Sequence, residues 1–225
     1  MRLRRVGQAA YGSFLLTDMV VIVGASGHGK VVGDALQTSN VNINGFADDD
    51  AQKWGRDWGG LPVLGNLESL ANKDVVLAMG IGDNTTREKV FRRAKALGFR
   101  FVNVIHPSAV IGRGCRLGEG IVVFANVVIN PDAQIGDDVI LNTSCSIDHD
   151  CVIEAHAHIA PGVRLAGNVT VGSGTLIGIG SAVMPGIKIG AHSIVGAGSV
   201  VVRDIPDYCV AVGNPSRVIK FLHGE

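Results

Sequence analysis

The stretch SIDHDCVIEAHAHIAPG, residues 146–162, holds three of the chain's seven histidines, His149, His156 and His158, with Asp148, Asp150 and Glu154 among them. Such a set has two chemical uses. Imidazoles and carboxylates together can hold a metal ion. Alternatively, a histidine titrating near neutrality can move a proton while an adjacent carboxylate fixes its tautomer and steadies the imidazolium. The plain alternatives are a surface histidine at position 149 and an ordinary turn aspartate at position 150. The element that carries these residues decides among them.

That element has its own signature. From Ile105 to Val201 an aliphatic residue recurs at every sixth position, through seventeen consecutive hexads. Neither a helix nor an ordinary strand has this period; a coiled parallel β-solenoid does. The fifth position is small or β-branched, as at Ala109, Cys115, Val127, Ala133, Cys145, Cys151, Ala157, Thr175, Ser181 and Ser199, and is expected to point inward. The fourth is Gly, Asn, Asp or Ser in fifteen of the seventeen hexads, His156 and His192 being the exceptions. These residues suit a corner that needs a left-handed backbone. The period thus assigns Ile147, Cys151, Ile153, Ala157 and Ile159 to the core and leaves His149, His156 and His158 outside.

The chain before the repeat reads differently. MVVIVG is a buried strand, KVVGDALQT a helix, NINGFADDD a strand ending in acids, VVLAMGIGD a strand, TTREKVFRRAKALG an amphipathic helix and RFVNVI a further strand. Strand–helix alternation implies a parallel sheet covered by helices. Gly24-Ala25-Ser26-Gly27-His28-Gly29 lies between the first strand and helix, where a Gly-rich turn and a helix N-terminus can approach a phosphate. A tight strand–helix turn is the plain reading, and the spacing is not that of the dinucleotide fingerprint. Asp48 and Asp49 close the second strand, where an acid of a Rossmann-like unit contacts the nucleoside; a solvated turn is the alternative.

Composition narrows the partners. Apolar residues make up 47% of the 225-residue chain and net charge is zero, so a large core is expected and a nucleic-acid or anionic-membrane partner is not. There is no apolar run long enough for a membrane span. The four cysteines, Cys115, Cys145, Cys151 and Cys209, form no C-x-x-C pair, so a reduced, cytoplasmic protein is expected. Residues 1–18, MRLRRVGQAAYGSFLLTD, faintly mimic a signal peptide but are interrupted by Gly and Ser; they read as an extension that adds little to the fold.

GASGHG, FADD and GIGDNTTREKV, followed by the hexads, resemble the bacterial nucleotide-sugar acyltransferases. That family includes UDP-4-amino-sugar and GDP-perosamine N-acetyltransferases and sialic-acid O-acetyltransferase-like proteins. The resemblance implies a Rossmann-like nucleotide-sugar-binding domain over 19–102. A left-handed parallel β-helix with a C-terminal cap follows over 103–225. It implies that Gly24, Ser26, Gly27, His28 and Gly29 bind a diphosphate and that Asp48 and Asp49 bind the base, with Gly82 and Asn84 as further nucleotide-sugar contacts. It implies acetyl-CoA as co-substrate, His149 as general base, Asp150 as its orienter, and Asn142 near the sugar. His158 and Gly167 then face the acyl group, and Asn214, Pro215 and Arg217 the CoA. Gamma-class carbonic anhydrases share the β-helix and hold zinc between subunits, but the residues here follow the acyltransferase pattern, so no metal is expected.

The resemblance also implies trimers and coils of about 18 residues. His149 and His158 are then half a turn apart, and they share a site only across a subunit interface. The expected activity is N-acetylation of a nucleotide-linked amino sugar, a UDP-4-amino-4,6-dideoxy hexose first. The alternatives are a GDP-amino sugar, O-acetylation of a sialic-acid-like sugar, and a silent trimeric sugar-nucleotide binder.

Overall fold

A computed structural model of the chain describes residues 19–71 and 73–222. The extension read over residues 1–18 lies outside them. The chain divides into two compact units, with the division between Pro107 and Ser108. The sequence reading places the boundary after residue 102. Residues 103–107 group with the first unit, where the Ser39 hydroxyl donates to the Ile105 carbonyl at 3.3 Å.

The first unit is built on three parallel strands in the order β2 (Ile43–Ala47), β1 (Met19–Val23), β5 (Val75–Met79). β3 (Asp57–Trp58) and β4 (Leu61–Pro62) form a small antiparallel hairpin between β2 and β5. Helix α1 (Gly27–Thr38) starts where Ser26 caps it, the Ser26 hydroxyl accepting from the Gly29 N–H at 3.1 Å. Helix α2 (Asn84–Ala96) is capped in the same way by Asp83, which accepts from the Thr86 N–H. One core joins Val21, Leu77, Met79, Val90, Phe91 and Phe101, all buried, with Phe91 stacked on Phe101 at 4.6 Å. The expected strand RFVNVI is reduced to a bridge at Phe101 and the two-residue β6 (Val104–Ile105).

The second unit is a parallel β-solenoid. Sixteen two-residue strands, from Val110–Ile111 to Val200–Val201, fall on three faces. Each pairs with the strand 18 residues away, as Ile129 with Ile147 and Ile159 with Ile177. Every first-position aliphatic residue from Val123 to Val201 is buried. Inward hydroxyls bond to carbonyls: Thr175 Oγ1 to Gly190 O at 2.6 Å and Ser181 Oγ to Gly196 O at 3.0 Å. Fourth positions from Gly114 to Gly198 all have positive φ, His156 (63°) and His192 (50°) included. The two exceptions to corner composition are therefore no exceptions to corner geometry. The solenoid closes with an antiparallel hairpin, Cys209–Gly213 with Ser216–Phe221, laid along the last strand of one face.

Candidate functional site

His149 lies just past the strand Ser146–Ile147, on the corner between the first and second faces, and is exposed together with Asp150. Asp150 takes the left-handed corner conformation, φ 59°. That bend brings its Oδ2 to 2.8 Å from His149 Nδ1. The hydrogen bond to Asp150, with the charges of Asp148 and Asp150, raises the His149 pKa above the ordinary imidazole value. Asp148 braces the same turn: its Oδ1 accepts from the His149 N–H and from Asn130 Nδ2, both at 2.8 Å. Gly167, one coil further on, lies against the imidazole. A Cβ at Gly167 would sit 2.6 Å from His149 Cε1 and Nε2, so the ring needs a glycine there.

His158 sits in the third face, between Ile140 and Leu176. Its Nε2 is 3.1 Å from Asn142 Nδ2. Asn142 Oδ1 already accepts the Thr143 N–H at 2.8 Å, so the amide turns its NH2 towards the imidazole. His158 Nε2 is then the acceptor, and its Nδ1 carries the proton when the ring is neutral. The corner bearing His149 is opposite the face bearing His158. A single chain therefore brings together His149, Asp150 and Gly167 in one place, and His158 and Asn142 in another.

His156 is a correction. Read as an outside residue, it is 5% exposed. Its corner conformation folds the ring back, and Nδ1 lies 2.9 Å from Oδ2 of the fully buried Asp138 one coil below. The cysteines are packing residues. Burial raises the Cys145 thiol to about 12 and also raises Cys151, so neither supplies a thiolate.

In the first unit a cavity of about 330 Å³ is walled by Gly24, Ser26, Asp48, Asp49 and Gly82 together with Val23, Ala47, Leu67, Ile81, Asp83, Thr86, Val90 and Arg93. Five residues chosen from the sequence meet there. Gly27, His28, Gly29 and Asn84 are not on its wall. Gly29 packs closely beneath Gly24. His28 rests by Gly82, and burial with the charge of Arg87 lowers its pKa to about 4, so the ring is neutral. Asn84 Oδ1 accepts from the buried Arg87 at 2.9 Å. Asp48 serves the loop itself: Oδ2 accepts the Ala25 N–H at 2.8 Å and Lys53 Nζ at 3.0 Å, and Oδ1 the Asp50 N–H at 2.9 Å. Asp49 is gripped by Arg93 Nη2 at 2.6 and 2.8 Å. Sequence reasoning missed Arg93. The available signal was its place three residues after Val90, on the same helix face.

In the closing hairpin Asn214 and Pro215 form the turn, joined by a cis peptide bond, and Arg217 Nη1 donates to Ser216 O at 2.8 Å.

A small α/β unit followed by a three-faced solenoid of hexapeptide repeats is the architecture of a class of bacterial transferases. Residues 19–94 match the PglD N-terminal domain, and residues 132–167 and 168–203 match the bacterial transferase hexapeptide repeats. Perosamine N-acetyltransferase from Caulobacter crescentus, solved with CoA and GDP-perosamine, is 43% identical with a TM-score of 0.86, over 91% of this chain and 98% of that one. The acetyltransferase domain of PglB from Neisseria gonorrhoeae FA1090 is 33% identical with a TM-score of 0.84, over 90% of this chain and 100% of that one. UDP-N-acetylbacillosamine N-acetyltransferase of Bacillus subtilis (strain 168) is 38% identical over 111 residues, 47% of this chain; the match spans about half that relative's length, 51%. The chain belongs to the bacterial nucleotide-sugar acyltransferases of the left-handed β-helix, hexapeptide-repeat family. Among the described residues no helix is long and apolar enough to cross a membrane.

Proposed function

We propose that the protein transfers an acetyl group from acetyl-CoA to the amine of a nucleotide-linked amino sugar, a 4-amino-4,6-dideoxy hexose carried on UDP or GDP. The carrying observation is the exposed His149–Asp150 pair, 2.8 Å apart, with Gly167 against the ring. Asp150 accepts a hydrogen bond from Nδ1–H, which fixes that tautomer and leaves Nε2 as the base. Nε2 takes a proton from the sugar amine as the nitrogen attacks the thioester carbon. The tetrahedral intermediate collapses by breaking the C–S bond, and the proton on His149 passes to the departing CoA sulfur. The Gly167 N–H and His158 meet the oxyanion. No acyl-enzyme is needed, in keeping with buried Cys145 and Cys151 thiols.

Asn142 orients His158 for that contact, and Asn214, Pro215 and Arg217 hold the CoA end. Gly24, Ser26, Gly27, His28, Gly29, Gly82 and Asn84 form the nucleotide-sugar side. The family resemblance points to a homotrimer, and the placement of His149 and His158 on opposed parts of one solenoid supports sites that each draw on two subunits. The Bacillus and Caulobacter relatives are N-acetyltransferases, which supports an amine acceptor. The Caulobacter complex with GDP-perosamine favours GDP as a second reading beside UDP. The test is CoA release from acetyl-CoA with UDP-, GDP- and CMP-linked amino sugars. His149→Ala should lower kcat about 10³-fold while nucleotide-sugar binding persists. Unchanged turnover would remove His149 from the mechanism.

A further inference from the structure

The carbonyls of the Gly-rich turn are held from outside it. Gly24 O accepts the Ser26 N–H at 3.0 Å, within the turn. Ala25 O accepts Lys53 Nζ at 3.1 Å. Ser26 O accepts Trp58 Nε1 at 3.3 Å besides the Lys30 N–H of α1 at 3.1 Å. Lys53 and Trp58 come from one excursion of the chain, between β2 and β4. Lys53 closes a one-turn helix, Ala51–Lys53, which Asp50 caps through the Gln52 N–H at 3.0 Å. Trp58 stands on β3, whose hairpin turns through Gly59 and Gly60 at φ 64° and 86°. The ammonium groups of Lys30 and Lys53 lie 4.9 and 5.8 Å from the centre of the Trp58 ring, within cation–π range. The indole is thus fixed at its face and at its N–H. Neither Lys53 nor Trp58 lines the cavity that Gly24 and Ser26 wall, so their bonds draw the carbonyls away from it.

We infer that Lys53 and Trp58 are positioning residues for the Gly-rich turn: they keep the Ala25 and Ser26 carbonyls off a bound diphosphate, so that the turn offers it N–H groups alone. This rests on the turn being the diphosphate side of the nucleotide-sugar site. A peptide turn can present either of its polar groups. Its N–H groups attract an anion, whereas a carbonyl oxygen rotated toward the same anion repels it. Rotation of one peptide unit exchanges the two. With Ala25 O on Lys53 and Ser26 O on Trp58, that rotation must first break a hydrogen bond. The side on which a ligand can approach stays open, since a Cβ at Gly27 would meet no atom within 4 Å. The two braces differ in kind. Lys53 brings a charge and also bonds to Asp48 Oδ2 at 3.0 Å. Trp58 is neutral and acts through the carbonyl alone, so the pair separates orientation from charge.

The test is calorimetric titration of the full chain with UDP and GDP, beside CoA-release kinetics with the amino sugar linked to the tighter of the two. Trp58→Phe keeps the ring and both cation contacts and loses only the N–H. It should weaken binding about 5-fold, the scale of one neutral hydrogen bond. Lys53→Met should weaken it about 10- to 100-fold, the scale of hydrogen bonds from a charged group. Lys53→Arg, which keeps charge and donors, should recover most of that loss. In the kinetics, KM for the nucleotide sugar should rise by the same factors while kcat and KM for acetyl-CoA hold. Trp58→Phe should melt with the wild type, so it decides the matter even where Lys53→Met melts early. Unchanged affinity in both Trp58→Phe and Lys53→Met overturns the inference, and so does a fall in kcat at unchanged KM. A wild-type chain that binds neither UDP nor GDP removes the diphosphate reading of the turn itself.

Discussion

At the scale of single residues, the proposed base is a histidine whose properties are set by its immediate neighbour in sequence. Asp150 raises the His149 pKa through its hydrogen bond. The base must be neutral, so kcat/KM should fall as pH drops through that raised value. Asp150→Asn removes the charge, so the acid limb should move to lower pH and the plateau should drop. An acid limb that stays in place would mean that another group titrates. Gly167→Ala puts a methyl group where the imidazole stands. It should cost about 10²-fold in kcat/KM, the scale of a displaced catalytic group, with little change in melting temperature. The exposure of His149 was legible because the hexad period says which positions face out, while the choice of His149 and Asp150 as a pair came from the family resemblance. His156 was misread because the period fixes a backbone corner and not the path of a long side chain; its ring turns back to Asp138. The place of Arg93 on the helix face of Val90 was readable, but an amphipathic helix pattern does not say which arginine meets an acid 44 residues earlier.

At the scale of elements, the solenoid is the part a sequence describes best. One inward aliphatic residue and one bent corner every six residues mark each strand; the 18-residue pairing came from the resemblance, and the strand register bears it out. The hairpin β3–β4 was not read, because two-residue strands outside a repeat carry no period. Corners also carry energy. Asp138 is fully buried and hydrogen-bonded to His156. Asp138→Ala should destabilise the protein by about 3 kcal/mol, as expected on removing one partner of a buried pair. Denaturant unfolding checks this, and a loss below about 1 kcal/mol would show the pair to be incidental. Conversely, the Gly-rich loop depends on Asp48, a residue outside it, through the Ala25 N–H.

At the scale of the whole molecule, the arrangement of faces makes a mixing experiment decisive. His149→Ala and His158→Ala chains, each inactive alone, should regain up to about a quarter of wild-type activity when refolded together as trimers. That is the fraction of interfaces receiving an intact residue from each side. No recovery would place both histidines of a working site in one chain. This level was the least legible, because nothing in one chain's period specifies its contacts with another copy; the expectation came from resemblance alone. The register of the solenoid has a further consequence. Neighbouring strands lie about 4.8 Å apart, and three coils separate the corner of His149 from that of Arg203, just before the closing hairpin. The solenoid is therefore a ruler of about 14 Å, graduated in whole coils. Excising one complete graduation, residues 168–185, keeps every inward position in phase while shortening the span by about 4.8 Å. A co-substrate that reaches from the histidine to the hairpin would no longer fit a frame that still folds.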